Sequence, residues 1–231
     1  MSFVIEMHDV WKVYPNGVEA LRGIDVRIDY GEFVYIVGPS GAGKSSFIKL
    51  MYREEKPTHG VVLINGVNVK RVRDWKIPHV RRKIGVVFQD FKLLPHMTAF
   101  ENVAFAMEAI EMPRRKIKPR VEEVLELVGL SDRMHALPSQ LSGGEQQRVA
   151  IARAIVNNPS FIIADEPTGN LDPENSWDIM YLLEEINQRG TTIVMATHNK
   201  EIVNTMRQRV IAIEQGVIVR DELGGEYGYE D

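Results

Sequence analysis

Apolar side chains recur along this chain in two rhythms, and the switching between them predicts its fold class. Short β-rich runs come first, at Phe3–Tyr14, Gly23–Ile28 and Phe33–Val37. A glycine-rich loop follows, then a helix over Lys44–Tyr52. Val61–Ile64 and Ile84–Phe88 read as further strands. From about Phe91 to Pro138 the pattern turns helical. Thr98 and Glu101 have the spacing of a capping box, opening a helix through about Ala109. Pro113 breaks it, and Val121, Val124, Leu125 and Val128 then mark a second helix over Lys116–Val128. After this helical insert, strands and helices alternate. Glu145–Val156 is helical, Phe161–Ala164 a short apolar strand, and Asp172-Pro173 an N-cap with proline at the first position of a helix to about Arg189. Thr192–Ala196 is another apolar strand, and Val210–Glu214 and Val217–Arg220 flank a hairpin turn at Gln215-Gly216. Strands alternating with helices predict an α/β fold with a mostly parallel sheet covered on both faces.

Composition narrows the class. A chain of 231 residues suits one large α/β domain, and 44% hydrophobic residues suffice for its core. Lys+Arg minus Asp+Glu is 28 − 32, or −4, which argues against a general nucleic-acid binder. With no cysteine, disulfides and Cys-based metal sites are excluded. Runs free of Asp, Glu, Lys and Arg reach 11 residues, as in Phe33–Gly43, short of the roughly 20 apolar residues of a membrane span. The segment 1–9 has neither a charged n-region nor an apolar h-region, so no secretory signal is expected.

Two segments carry phosphate chemistry. Gly38-Pro39-Ser40-Gly41-Ala42-Gly43-Lys44-Ser45 fits G-x-x-x-x-G-K-[ST], after an apolar strand and before a helix. Its glycines let backbone N–H groups face a polyphosphate, and the helix N-terminus adds positive charge. Lys44 then reaches the β/γ-phosphates, and the Ser45 hydroxyl ligates Mg²⁺. A guanine-reading N-K-x-D is absent, because Asn199-Lys200-Glu201-Ile202 lacks the acidic fourth residue. The apolar run Phe161–Ala164 ends in Asp165 and Glu166. Asp165 suits the magnesium, and Glu166 suits a general base for water. The plainer alternative is a turn pair at a strand exit. A third segment, Leu141-Ser142-Gly143-Gly144-Glu145-Gln146, opens a helix. A capping box explains Ser142 and Glu145 but not Gly143 and Gly144, which would open N–H groups to an anion.

Together these segments resemble the ABC-transporter ATPase family. Leu141–Gln146 is similar to its signature motif, Gly38–Ser45 to its Walker A, and Phe161–Glu166 to its Walker B. Gln89 matches the Q-loop, Gly169-Asn170-Leu171-Asp172 the D-loop, His198 the switch histidine, and Tyr14 the aromatic that stacks on adenine. Ser46 departs from the usual threonine but keeps the hydroxyl. The resemblance implies a P-loop NTPase of ABC ATPase type: a RecA-like core with an N-terminal antiparallel β part and a helical insert. It forms a single domain over 1–231, with core 1–90 and 139–231 and insert about 91–138. ATP and Mg²⁺ are the implied cofactors. The catalytic residues become Glu166, His198 and Gln89, with Ser45, Gln89 and Asp165 on the metal. Gly38–Ser46 and Tyr14 bind ATP, Ser142–Gln146 act across an ATP-dependent homodimer, and Asp172 is the D-loop aspartate.

Within the family, Asp165–Asp172 resembles the branch that serves lipoprotein release, macrolide export and cell division. Val34–Gly43, Met51–Glu55, Phe88–Pro95, Ile155–Pro159 and the tail Gly225–Tyr229 resemble its cell-division members. That resemblance implies a peripheral protein on the cytoplasmic face of the cell membrane. A separate integral membrane protein is its partner, and nucleic acid is not. Phe91, Leu93, Leu94, Met97 and Phe100 then form the docking surface for that partner; the alternative is that they pack inside the insert. An exporter subunit of the same branch shares every motif and stays open. A soluble ABC protein acting on DNA or ribosomes, or a catalytically decayed scaffold, fits less well.

Overall fold

The structure, a computed structural model, describes residues 3–228. Met1, Ser2 and the Tyr229 of the tail motif lie outside the described residues. The chain opens with β1 (Phe3–Val13), β2 (Glu19–Asp29) and β3 (Phe33–Val37), then turns into α1 (Lys44–Met51). Next come β4 (His59–Ile64), β5 (Val67–Asn68), a short helix α2 (Ile77–Arg81) and β6 (Ile84–Phe88). The insert carries α3 (Ala99–Glu108) and α4 (Arg114–Leu127). The rest runs α5 (Gly143–Ile155), β7 (Phe161–Asp165), α6 (Pro173–Gln188), β8 (Thr192–Ala196), α7 (Lys200–Met206), β9 (Arg209–Glu214) and β10 (Val217–Glu222).

The strands form two sheets. β2-β1-β4-β5 is antiparallel throughout. The second, β10-β9-β3-β8-β7-β6, is parallel except for the β9–β10 hairpin at its edge. Gln215 and Gly216 turn that hairpin with φ of 45° and 81°, the paired positive values of a type I′ turn.

Strand periodicity splits the core in two. Val34 and Ile36 of β3, Phe161 and Ile163 of β7, and Val194 of β8 point toward α1 and the antiparallel sheet. Their neighbours Tyr35, Ile162, Ala164, Ile193 and Met195 point to the other face. That second cluster runs without a break into Val103 and Met107 of α3, Val121 and Leu125 of α4, and Val149 of α5. Burial on both faces is why these strands read as continuous apolar runs.

Local signals set several boundaries. Thr98 and Glu101 make the reciprocal capping box at α3. Asp172 caps α6, with proline at its first position. Helix α4 runs through Pro119. β5, α2 and α7 were not expected from the sequence. Each has seven residues or fewer, too few for apolar periodicity to show.

Candidate nucleotide site

Strand β3 is buried at every position and ends one residue before Gly38. Gly38 has φ +145° and Gly43 +111°. A Cβ on Gly38 would collide with the Ile213 carbonyl oxygen, and one on Gly43 with that of Ala20. Glycine is therefore required for conformation and for packing alike. The turn between β9 and β10 braces the loop from behind. Gly216 N–H donates to Ala42 O at 2.9 Å, and Gly216 O accepts from Arg22 N–H at 2.7 Å. Lys44 Nζ folds over the loop and donates to Gly38 O (2.6 Å) and Pro39 O (3.0 Å). Burial lowers its pKa, against the opposing pull of Glu166 and Asp165.

These groups line one cleft of about 550 Å³. The whole loop from Gly38 to Ser46 contributes, as do Tyr14, Asp165, Glu166 and His198. The expected nucleotide, carboxylate and histidine residues are thus brought to one place. The Tyr14 hydroxyl lies 3.1 Å from Ser46 Oγ, so the serine that departs from threonine ties the aromatic ring to α1. Lys12 Nζ sits 4.7 Å from the centre of the same ring. Val18, Glu19 and Ala20 also line the cleft and belong to no motif, and Tyr227 joins them from the tail segment Gly225–Tyr229, to which the sequence alone assigns no place at the nucleotide.

At the end of β7 the two carboxylates differ in setting. Burial, and then the charge of Glu166, raises the Asp165 pKa, while Lys44 and Lys49 oppose the shift. Glu166 holds φ at +50°, a left-handed conformation uncommon for a non-glycine residue. Its backbone N–H donates to Ala196 O at 3.0 Å, and its carbonyl accepts from Gly169 N–H at 3.0 Å. The turn delivers its carboxylate to His198, with Nδ1 2.8 Å from Oε1. The Glu166 side chain is 18% exposed and the His198 side chain 69%. A carboxylate that orients an imidazole at the mouth of a polyphosphate cleft can polarise water and follow the terminal phosphate.

Gln89 does not line the cleft. Its Nε2 donates to Asn170 Oδ1 at 3.0 Å, and Asn170 Nδ2 donates back to Gln89 O at 3.1 Å. The Q-loop residue is thereby tied to the D-loop, with Gly169 packed against its amide. Its expected place on the metal is not occupied by its side chain here.

The signature segment also stands apart from the cleft in its own chain. Ser142 caps α5 in a full capping box: Ser142 N–H donates to Glu145 Oε2 at 2.8 Å, and Glu145 N–H to Ser142 Oγ at 3.2 Å. That bonding, together with Arg133 3.2 Å away, lowers the Glu145 pKa. Gln146 Nε2 donates to Leu141 O at 3.1 Å. The two glycines, which capping left unexplained, have a reason inside the chain. A Cβ on Gly144 would strike the Asn175 side chain, and one on Gly143 would lie 3.3 Å from Leu171 Cδ2. Asn175 in turn donates to both Asp172 oxygens, from its backbone N–H at 3.0 Å and its Nδ2 at 2.6 Å. Gln147, with no motif to mark it, is fully buried. It donates to Pro167 O at 2.6 Å, joining α5 to the turn after Glu166.

The five apolar residues after the Q-loop divide. Leu93 and Phe100 pack against the core, Phe91 and Met97 are half-buried, and Leu94 is exposed. Leu93 and Phe100 make the core contacts that the packing alternative describes while staying half-buried. Buried Asn102 shapes this loop, donating to Met97 O (2.9 Å) and Thr98 O (3.0 Å) and accepting from Leu94 N–H (2.8 Å). Arg153 of α5 donates to Phe91 O at 2.8 Å and Lys92 O at 2.6 Å, where both residues have positive φ.

Fold and site define a P-loop ATPase cassette, and comparison with known proteins agrees. Residues 21–169 match the ABC transporter family. The chain belongs to that family, as an ATPase domain. It is 68% identical over 228 residues to the cell division ATP-binding protein FtsE of Bacillus subtilis, covering 99% of this chain and all of that one. It is 62% identical, again over 228 residues, to FtsE of Streptococcus pneumoniae, covering 99% of each. A solved dimeric ATP-binding cassette in a post-hydrolysis state, bound to ADP and Pi, superposes with a TM-score of 0.85 at 38% identity, covering 96% of this chain and 99% of that one. Among the described residues no helix is long and apolar enough to cross a membrane.

Proposed function

We propose that this chain is the ATP-binding and ATP-hydrolysing subunit of an FtsE/FtsX-type complex in bacterial cell division. It sits on the cytoplasmic face of the membrane and couples hydrolysis to transmembrane activation of peptidoglycan hydrolases. The observation that carries this reading is the near full-length identity to cell-division ATPases on a chain whose cleft unites Lys44, Asp165, Glu166 and His198. It is organised as one domain over 1–231, with the insert at about 91–138.

In this reading Lys44 leaves the Gly38 and Pro39 carbonyls for the β/γ-phosphates, and the loop N–H groups hold the phosphate oxygens. Tyr14 stacks on adenine. Glu166 takes a proton from the attacking water while His198, oriented by that carboxylate, contacts the terminal phosphate. The Ser45 hydroxyl and Asp165 would hold Mg²⁺. Oxygen donors suit that cation. Bound there, Mg²⁺ neutralises phosphate charge. Gln89 joins the set only by leaving Asn170.

Because Ser142–Gln146 lie away from the cleft of their own chain, their phosphate role requires a second copy. The homodimer is head-to-tail, with Ser142 of one protomer on the γ-phosphate held by Lys44 of the other. Leu94 and the loop around it receive the FtsX-like integral membrane protein. Affinity purification of the tagged chain from bacterial membranes tests the assignment. One co-purifying integral protein that controls septal hydrolase activity is expected; recovery of an exporter permease instead overturns it.

A further inference from the structure

The segment from Lys70 to Lys83 holds seven lysines and arginines against Asp74 alone, in a chain whose net charge is −4. Asp74 is already claimed by Arg53 at 3.2 Å and Lys56 at 3.4 Å. Among the described residues no carboxylate pairs with Arg71, Arg73, Lys76 or Lys83, and all four side chains are exposed. This charge serves neither the nucleotide cleft nor any internal ion pair.

The same segment presents apolar surface. Trp75 is 65% exposed, its ring beside Lys76 Nζ at 4.9 Å. Lys76, His79, Val80 and Lys83 follow the i, i+3, i+4, i+7 spacing of one helical face. That face, with Val72, Ile64 and Val67, borders a groove of about 300 Å³ whose walls are mostly apolar. Val67, on the far rim, is 45% exposed. An exposed tryptophan and a valine-lined groove set among unpaired cations have the chemistry of a bilayer interface: aromatic and apolar groups at headgroup depth, cations on anionic lipid.

We infer that the Lys70–Lys83 segment is a direct contact with the anionic lipid surface of the membrane, separate from the loop that receives the integral protein. Charge complementarity selects the occupant. A zwitterionic surface has no net charge to attract these cations, whereas an anionic bilayer interface offers them a negative potential and gives Trp75 a place at headgroup depth. The groove also lies on α2, whose opposite side, through Pro78, Arg81 and Arg82, borders a second groove shared with α3. Lipid contact would therefore hold the insert side of the cassette toward the membrane.

Flotation of the purified chain with vesicles tests this without any membrane protein, so its failure leaves the ATPase reading untouched. Phosphatidylglycerol-containing vesicles should carry the chain at low salt and release it at high salt, while pure phosphatidylcholine should not carry it. Each cation at an anionic surface strengthens binding about fivefold, so Lys76→Ala/Lys83→Ala should weaken partitioning about 25-fold. Trp75→Ala, at an exposed position, should also weaken it and decides the matter if the double variant melts early. Brominated lipid chains should quench Trp75 in the wild-type chain. Equal flotation with both lipids, no flotation with either, or flotation that appears only when the integral partner is in the vesicles overturns the assignment. So does unchanged partitioning of both variants.

Discussion

The signature glycines offer a direct test of packing against ligand binding. Gly144→Ala adds a methyl group that would strike Asn175 Oδ1 and lie 2.9 Å from Asn175 Cγ and 3.3 Å from its Cβ. Asn175 cannot simply swing aside, because Asp172 holds it at both the backbone and the side-chain amide. Helix propensity works the other way, favouring alanine over glycine by about 0.5–1 kcal/mol in a helix interior and by less in this first turn. Overpacking a fixed neighbour costs about 1–3 kcal/mol, so the clash wins, leaving a net loss of about 1–2 kcal/mol. For a chain of this size that lowers Tm by about 2–8 °C. The melt should be run without nucleotide and at a concentration where the chain is monomeric. Gly143→Ala, whose methyl would meet the flexible Leu171 at 3.3 Å and Phe91 at an ordinary 3.9 Å, should shift Tm much less. Asn175→Ala should restore part of the loss in the double mutant, because the two side chains would share one space. An unchanged or raised Tm for Gly144→Ala in the monomer would refute the packing role and leave the glycine to phosphate alone.

Glu166→Gln should stop hydrolysis while ATP binding persists, so a Mg²⁺-ATP dimer should accumulate in the analytical ultracentrifuge; a monomer at saturating bound ATP counts against the head-to-tail pair. In titrations with a fluorescent ATP analogue, Lys44→Ala should lose binding and His198→Ala should keep it yet hydrolyse slowly. Tyr14→Ala should lose roughly 1–3 kcal/mol if its ring stacks on adenine; equal losses in all three would show the roles misassigned. Leu94→Asp should leave Tm and ATP binding intact and abolish co-purification with the detergent-solubilised membrane partner, whereas Leu93→Asp should lower Tm, since Leu93 packs on the core. The pKa values of Glu145 and Asp172 lie below the ordinary carboxylate range because each accepts helix-capping hydrogen bonds. Their stabilising contribution is present above the unfolded pKa and is lost as pH falls through the lowered folded one, so the acid limb of a Tm profile should flatten in part with Glu145→Gln.

Much of the fold and nearly all of the cleft are legible in the sequence, because the signals are local. Gly38–Ser45 needs its strand, glycines and helix within a dozen residues, and the Thr98, Ser142 and Asp172 caps lie three residues from their partners. What stays hidden depends on distant contacts. Gly144 meets Asn175 of another helix, and Gly216 supports Ala42 across the sheet edge. Gln147 looks like any polar helix residue until Pro167 is brought against it. Tyr227 reaches the cleft from the far end of the chain.

Those distant contacts also suggest how a membrane partner could be felt at the phosphate. The loop after Gln89 is held by Arg153, and Arg153 lies on α5, the helix that Ser142 caps. Gln89 itself is bonded to Asn170, in the same short turn that links Glu166 to Asp172. Movement of the docking loop would therefore pull on the signature helix through one arginine and on the D-loop through one amide pair. The two routes separate by mutation. Asn170→Ala frees Gln89 without touching the cleft lining, so ATP affinity of the isolated chain should be unchanged. Stimulation of hydrolysis by the reconstituted membrane partner should fall, because the docking loop after Gln89 no longer bears on the turn that positions Glu166. A variant that keeps full partner stimulation, measured against wild type in the same vesicles, would assign the coupling to Arg153 and α5 instead.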